Sequence, residues 1–231
     1  MTTTSLSKNA RVQMLIRALL APIAIIILIF LAAGRWNYWQ AWVYIVLNTV
    51  IVVLMGTVFT KDSRLIEERL NPKGGTKPWD KVYFAITVPL YFVAIILGGL
   101  DARFGWTKNM PLMIYWGSVA VYLIGQSIFL WARYTNSYFS SVVRIQTDRG
   151  QTVCKDGPYR YVRHPGYVGG FLFTLTSGLM LGSWWAFILQ AIAASMIIWR
   201  TALEDKTLQA ELPGYAEYAK ETRYRLIPGI W

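Results

Sequence analysis

Long apolar runs alternate with short basic connections along this chain. Runs such as 19–33 and 44–59 are longer than a soluble core needs and approach the roughly 20 residues that cross a bilayer as a helix. The pattern predicts six apolar helices, over 16–33, 39–60, 81–100, 111–134, 167–181 and 184–203. Pro22 falls in the first turns of the first one, where it is tolerated. Gly182 and Ser183 form the turn between the last two, which read as a membrane-embedded hairpin. The fifth run is marginal in length for a full span. Residues 62–70 carry apolar side chains at helical spacing (Leu65, Ile66, Leu70) and predict a short amphipathic surface helix. Residues 71–78 read as a Pro/Gly turn. Residues 204–222 are charged and helix-prone, with a break at Pro213-Gly214. The expected fold class is therefore all-α: a polytopic membrane bundle of about six spans plus a C-terminal helix outside the membrane.

Composition narrows the class. The chain has 231 residues, suited to one integrated domain, with 1–135 supplying four helices and 136–231 the polar loop, hairpin and C-terminal helix. Hydrophobic residues make up 55% and charged residues only 15%, so the net charge of +11 does not argue for nucleic acid as a partner. Of 23 Lys and Arg, only Arg35, Arg103 and Lys108 fall in the alternate connections. Positive-inside bias then puts both termini and the 136–166 loop in the cytoplasm, and the even number of crossings agrees. Trp36, Trp39, Trp42, Trp106, Trp184 and Trp185 fall near the opposite ends, as an interfacial aromatic belt does. No small-residue cleavage site clearly follows the first run, so it reads as a retained helix rather than a signal peptide. A single cysteine, Cys154, excludes an intrachain disulfide, and with one histidine a metal site is not indicated. Neither a Rossmann glycine fingerprint nor a P-loop is present.

Candidate chemistry concentrates in residues 151–170. This stretch holds His164, the one histidine, together with Tyr159, Tyr161, Tyr167 and the three cations Lys155, Arg160 and Arg163, between membrane-length runs. Spanning a bilayer requires none of these. Asp156-Gly157-Pro158 and Pro165-Gly166 are turn signatures, and a glycine-rich helix start suits an anionic group. Each Tyr or Arg alone also fits an interfacial loop that anchors lipid headgroups. A second set, Arg200-x-x-x-Glu204-Asp205, begins while the sixth run is still apolar. The spacing of four places Arg200 and Glu204 on one helix face, either as a surface ion pair or as the lining of a cavity at membrane depth. A third set is Tyr215-x-x-Tyr218 followed by Arg223 and Arg225, which taken alone reads as a cationic tail.

The order of these pieces resembles a known family. A Gly-Pro-Tyr turn, Arg-His-Pro-x-Tyr-x-Gly, a helical hairpin, Arg-x-x-x-Glu-Asp-x-x-Leu, Tyr-x-x-Tyr and a final Arg…Pro follow one another over about 136–229. This looks like the isoprenylcysteine carboxyl methyltransferase-like family of integral membrane methyltransferases, related to the phospholipid N-methyltransferases. The resemblance implies S-adenosylmethionine as methyl donor and a lipophilic acceptor in the bilayer. It implies cofactor contacts from Gln151, Val153, Tyr159, His164, Pro165, Gly166, Tyr167 and Glu204, with Arg200 and Glu204 at the reacting end and Arg200 holding the acceptor. Two positions depart from the family pattern: Asp205 stands where Glu is commoner, and Leu212-Pro213-Gly214 replaces Phe-Gly. The loop and the terminal Arg…Pro are also similar to membrane sterol reductases that use NADPH, and a non-catalytic lipid-binding protein is a third possibility. Oligomeric state and acceptor identity are not legible.

Overall fold

The computed structural model describes residues 8–58, 68 and 74–231. Among the described residues seven α-helices carry the fold: α1 (Lys8–Ala33), α2 (Trp39–Val58), α3 (Pro78–Phe104), α4 (Leu112–Thr135), α5 (Pro165–Met180), α6 (Trp184–Glu211) and α7 (Tyr215–Glu221). Two short 3-10 turns, Thr147–Arg149 and Gly157–Arg160, shape the long connection before α5. No strand occurs among the described residues, as expected for an all-α chain. The predicted surface helix over 62–70 lies outside the described residues except Glu68, and so does the start of the 71–78 turn.

Helix ends follow local chemistry more than hydropathy. α3 starts three residues before its apolar run because Pro78 sits at its first position, where the missing N–H costs nothing. It stops at Gly105, whose left-handed backbone (φ 67°) lets its N–H cap the Asp101 carbonyl at 2.7 Å. α6 begins with Ser183 Oγ accepting the Ala186 N–H at 3.1 Å. It then continues to Glu211, well past the predicted end at residue 203. The change from apolar to charged residues at Arg200 marks a change of environment, and no helix breaker occurs before Pro213.

Three of these helices, α3, α4 and α6, are long and apolar enough to cross a membrane. The apolar stretches of α1 and α2, Pro22–Ala33 and Trp39–Met55, are shorter, and α5 has 16 residues. The expected count of about six spans is thus matched by length at three helices among the described residues.

α5 lies between α4 and α6, and α3 packs on both α6 and α1. The α4–α5 crossing is close enough to need glycine on both sides. A Cβ on Gly169 would lie 2.6 Å from the Phe129 nitrogen, and one on Gly125 would lie 2.9 Å from the Gly169 carbonyl. Small residues allow such backbone approach where lipid provides no hydrophobic drive. Gly169→Ala is expected to destabilise the protein by about 1–3 kcal/mol through overpacking, read as a lower thermal midpoint in detergent. The tightness of this crossing matters for the site, because α5 and α6 carry its central side chains.

Candidate functional site

At the charged ends of α3, α4, α5 and α6, a cavity of about 320 Å³ opens beneath the 136–164 connection and α7. That is near the lower bound for small-molecule sites. Its walls mix aromatic rings with a few charged groups.

α6 supplies the centre. Arg200 and Glu204, one turn apart, both line the cavity, but they do not pair with each other as their spacing allows. The Tyr167 hydroxyl, from α5, donates to the Glu204 carboxylate. The Arg200 guanidinium turns the other way. Its Nε lies 2.8 Å from Asp80 Oδ1 and its Nη2 donates to the Ser141 carbonyl at 3.0 Å. Three rings surround it, with centroids 4.6 Å (Tyr83), 4.8 Å (Phe84) and 5.3 Å (Tyr167) away. Cation–π contact and burial together fix the plane of the group. Asp80 is fully buried in the first turn of α3, and its other oxygen accepts the Val143 N–H at 2.8 Å. One carboxylate therefore sets both the arginine and the loop that roofs it.

His164 lines the cavity, but its ring is already engaged. Nε2 lies 3.1 Å from Asp205 Oδ1 and 3.2 Å from the Tyr215 hydroxyl. Asp205, fully buried, is a hub. Arg163 meets it with Nε and Nη2 (2.7 and 2.9 Å), while Arg225 Nε, Gln209 Nε2 and the Tyr215 hydroxyl donate at 2.8, 2.8 and 3.1 Å. Arg163 Nη1 also donates to the carbonyls of Thr222 and Arg223. Burial alone would ease deprotonation of Arg163; the Asp205 carboxylate outweighs it and raises the pKa. Burial first, then the Asp205 charge, pushes the Tyr215 hydroxyl well above its ordinary range, so it stays a donor. This cluster ties the start of α5, the end of α6, α7 and the C-terminal tail into one wall.

The remaining candidates divide. Gln151 lines the cavity, yet its Oε1 accepts the Gln146 N–H at 2.7 Å and closes the loop. Val153 packs against Leu212, Tyr215 and Tyr218. Tyr159 is buried, accepts from Asn136 Nδ2 at 3.3 Å, and its carbonyl receives the Tyr218 hydroxyl at 2.7 Å. Gly166 is a wall residue because a Cβ there would strike the Phe139 ring at 2.5 Å. Pro165 is buried as the first residue of α5 and is not part of the cavity wall. Tyr161 is 66% exposed and also lies outside it. Four of the amides around the helix start, expected to present themselves to an anion, are taken within the protein. The Tyr167 and Val168 N–H groups go to the His164 carbonyl, and those of Arg163 and His164 to the Tyr224 and Arg225 carbonyls.

Sequence reasoning missed Asp80 and the hub role of Asp205. An acid in a first helical turn reads as a favourable charge near the helix dipole, and nothing local distinguishes Asp80 from that. Another ion pair left unforeseen is Arg144 with Glu68, both buried, at 2.6 Å. No group of metal-ligating side chains forms among the described residues.

Fold and site together define an α-helical membrane bundle with a cavity at the charged end of its helices. Residues 112–212 match the phospholipid methyltransferase family. The Protein-S-isoprenylcysteine O-methyltransferase of Schizosaccharomyces pombe is 34% identical over 62 residues, 27% of this chain and 25% of that protein. The chain thus matches about a quarter of the length of that curated relative. The two matches support the resemblance to the isoprenylcysteine carboxyl methyltransferase-like family of integral membrane methyltransferases, and the matched span 112–212 takes in all of α4, α5 and α6.

Proposed function

We propose that this protein is an S-adenosylmethionine-dependent membrane methyltransferase acting on a lipophilic acceptor. The observation that carries this reading is the pair Arg200 and Glu204, one turn apart in one cavity, each fixed by its own partner (Asp80 and Tyr167). The donor set suits the cofactor. Glu204 offers a carboxylate to an ammonium or to ribose hydroxyls, tyrosine rings flank it, and no metal is needed. When bound, the cofactor supplies a methyl group on a sulfonium centre. Glu204, Tyr159, His164, Gly166, Tyr167, Val153 and Gln151 would hold it, with Pro165 acting by starting α5.

The protein's own part is placement. Tyr167 orients Glu204. Asp80 and the surrounding rings orient Arg200, whose side chain lines the cavity. Arg200 then holds an anionic or polar group of the acceptor near the transferable methyl. Phe84, Phe129 and Phe139 give the cavity an apolar wall suited to a lipid chain arriving from the bilayer. The charge bias of the connections supports a cytoplasmic cavity with both termini on the same side and an even number of crossings, about six, and the chain length suits one integrated domain spanning 1–135 and 136–231.

The test is transfer of a radiolabelled methyl group from S-adenosylmethionine to lipid-extractable material by the detergent-purified chain. Glu204→Gln is expected to cut transfer about 10–100-fold at limiting cofactor, since a hydrogen bond to a charged group contributes about 1.5–3 kcal/mol. Unchanged transfer would remove Glu204 from the cofactor site.

A further inference from the structure

The three cations that the sequence places in the alternate connections, Arg35, Arg103 and Lys108, all line a second pocket, of about 400 Å³, at the other end of the bundle. They come from three places: the α1–α2 connection, the end of α3 and the α3–α4 connection. The backbone is shaped to gather them. Gly34 adopts φ +63°, and a Cβ there would touch the Arg103 guanidinium carbon at 3.4 Å. Gly182, from the α5–α6 turn, also lines the pocket.

Among the described residues, the only acid in the lining is Asp101, and its oxygens are turned to Thr107. It is buried, and its two oxygens accept the Thr107 N–H and hydroxyl, each at 2.6 Å. None of the three cations makes an ion pair among the described residues. With three cations against one carboxylate the pocket carries a net positive charge, and a concave site with such an excess focuses its field on a counter-ion. The neighbouring residues indicate where that counter-ion comes from. Phe104, in the lining, is 60% exposed, and Trp36 and Trp106, next to lining residues, are 67% and 47% exposed. Exposed aromatics at the end of apolar helices mark the headgroup level of a bilayer.

We infer that this pocket binds the phosphodiester headgroup of an anionic membrane lipid, at the opposite end of the bundle from the Arg200–Glu204 cavity. The inference does not depend on the reaction proposed for that cavity.

The experiment titrates the full-length, detergent-purified chain with short-chain phosphatidylglycerol, short-chain phosphatidylcholine and inorganic phosphate, reading bound lipid by native mass spectrometry. Phosphatidylglycerol is expected to bind more tightly than phosphatidylcholine. Replacing Arg35→Gln and Lys108→Gln together is expected to weaken phosphatidylglycerol about 25-fold, on the order of five-fold per cation, and to leave phosphatidylcholine unchanged. Should the double variant fail to fold, Lys108→Gln alone, on an exposed side chain, is expected to weaken it about five-fold. Equal affinity for the two lipids, or phosphatidylglycerol binding that survives the substitution, would overturn the inference. Inorganic phosphate binding as tightly as phosphatidylglycerol would assign the pocket to a free anion and overturn the lipid assignment.

Discussion

Asp205→Ala is expected to destabilise the protein by about 3–5 kcal/mol, the range for removing one partner of a buried ion pair. The carboxylate is fully buried and receives donors from Arg163, His164, Arg225, Tyr215 and Gln209. Removing it leaves the Arg163 cation, only 6% exposed at its side chain, beside an imidazole and a second arginine with no counter-charge. The loss would also detach the tail, because Arg163 and His164 hold the 222–225 backbone. Thermal unfolding in detergent, followed by helicity and by tail proteolysis, is the measurement. Early cleavage after residue 211 at temperatures where α1–α6 persist is the expected pattern. A midpoint within 1 °C of the wild type would mean the hub contributes little.

Asp80→Ala is expected to cost a similar amount, about 3–5 kcal/mol, for a related reason. Arg200 is 8% exposed and has Asp80 as its ion-pair partner. Without it the guanidinium stays buried and uncompensated, and the Val143 N–H loses its acceptor too. A double-mutant cycle separates the pair from general damage. Asp80→Ala combined with Arg200→Met, which removes both charges and keeps an apolar stem, is expected to be more stable than Asp80→Ala alone. Simple additivity of the two single effects would show that the pair is not coupled. The cycle also bears on function, because Asp80 lies outside the 112–212 region shared with the phospholipid methyltransferases. An N-terminal helix would then be setting the geometry of a side chain in the matched part.

Much of the architecture is legible in the apolar runs. The positions of α3, α4, α5 and α6 follow from run length, and their ends from Pro78, Gly105, Pro165 and Ser183. Residues 204–212 read as helix-prone up to the Pro213-Gly214 break, but their continuity with the sixth run was hidden because leaving lipid and ending a helix look alike in hydropathy. In the site, the clustering of Glu204, Tyr167, His164 and Arg200 around one cavity was foreseeable from motif order. Their partners were not. Spacing proposes Glu204 for Arg200, yet the arginine turns to Asp80, 120 positions away in sequence, and the tyrosine takes the glutamate. Pairings across helices depend on the packing of α3 against α6, which no local pattern encodes. The partners of His164 were hidden likewise, because Asp205 and Tyr215, which hold it, belong to later elements.

The most direct measurement is calorimetric titration of S-adenosylhomocysteine into the purified wild type and Glu204→Gln. Saturable binding to the wild type, weakened at least about ten-fold by the substitution, is the expected result. A folded wild type that shows no saturable binding, or that binds NADPH instead, would contradict the methyltransferase reading of the cavity.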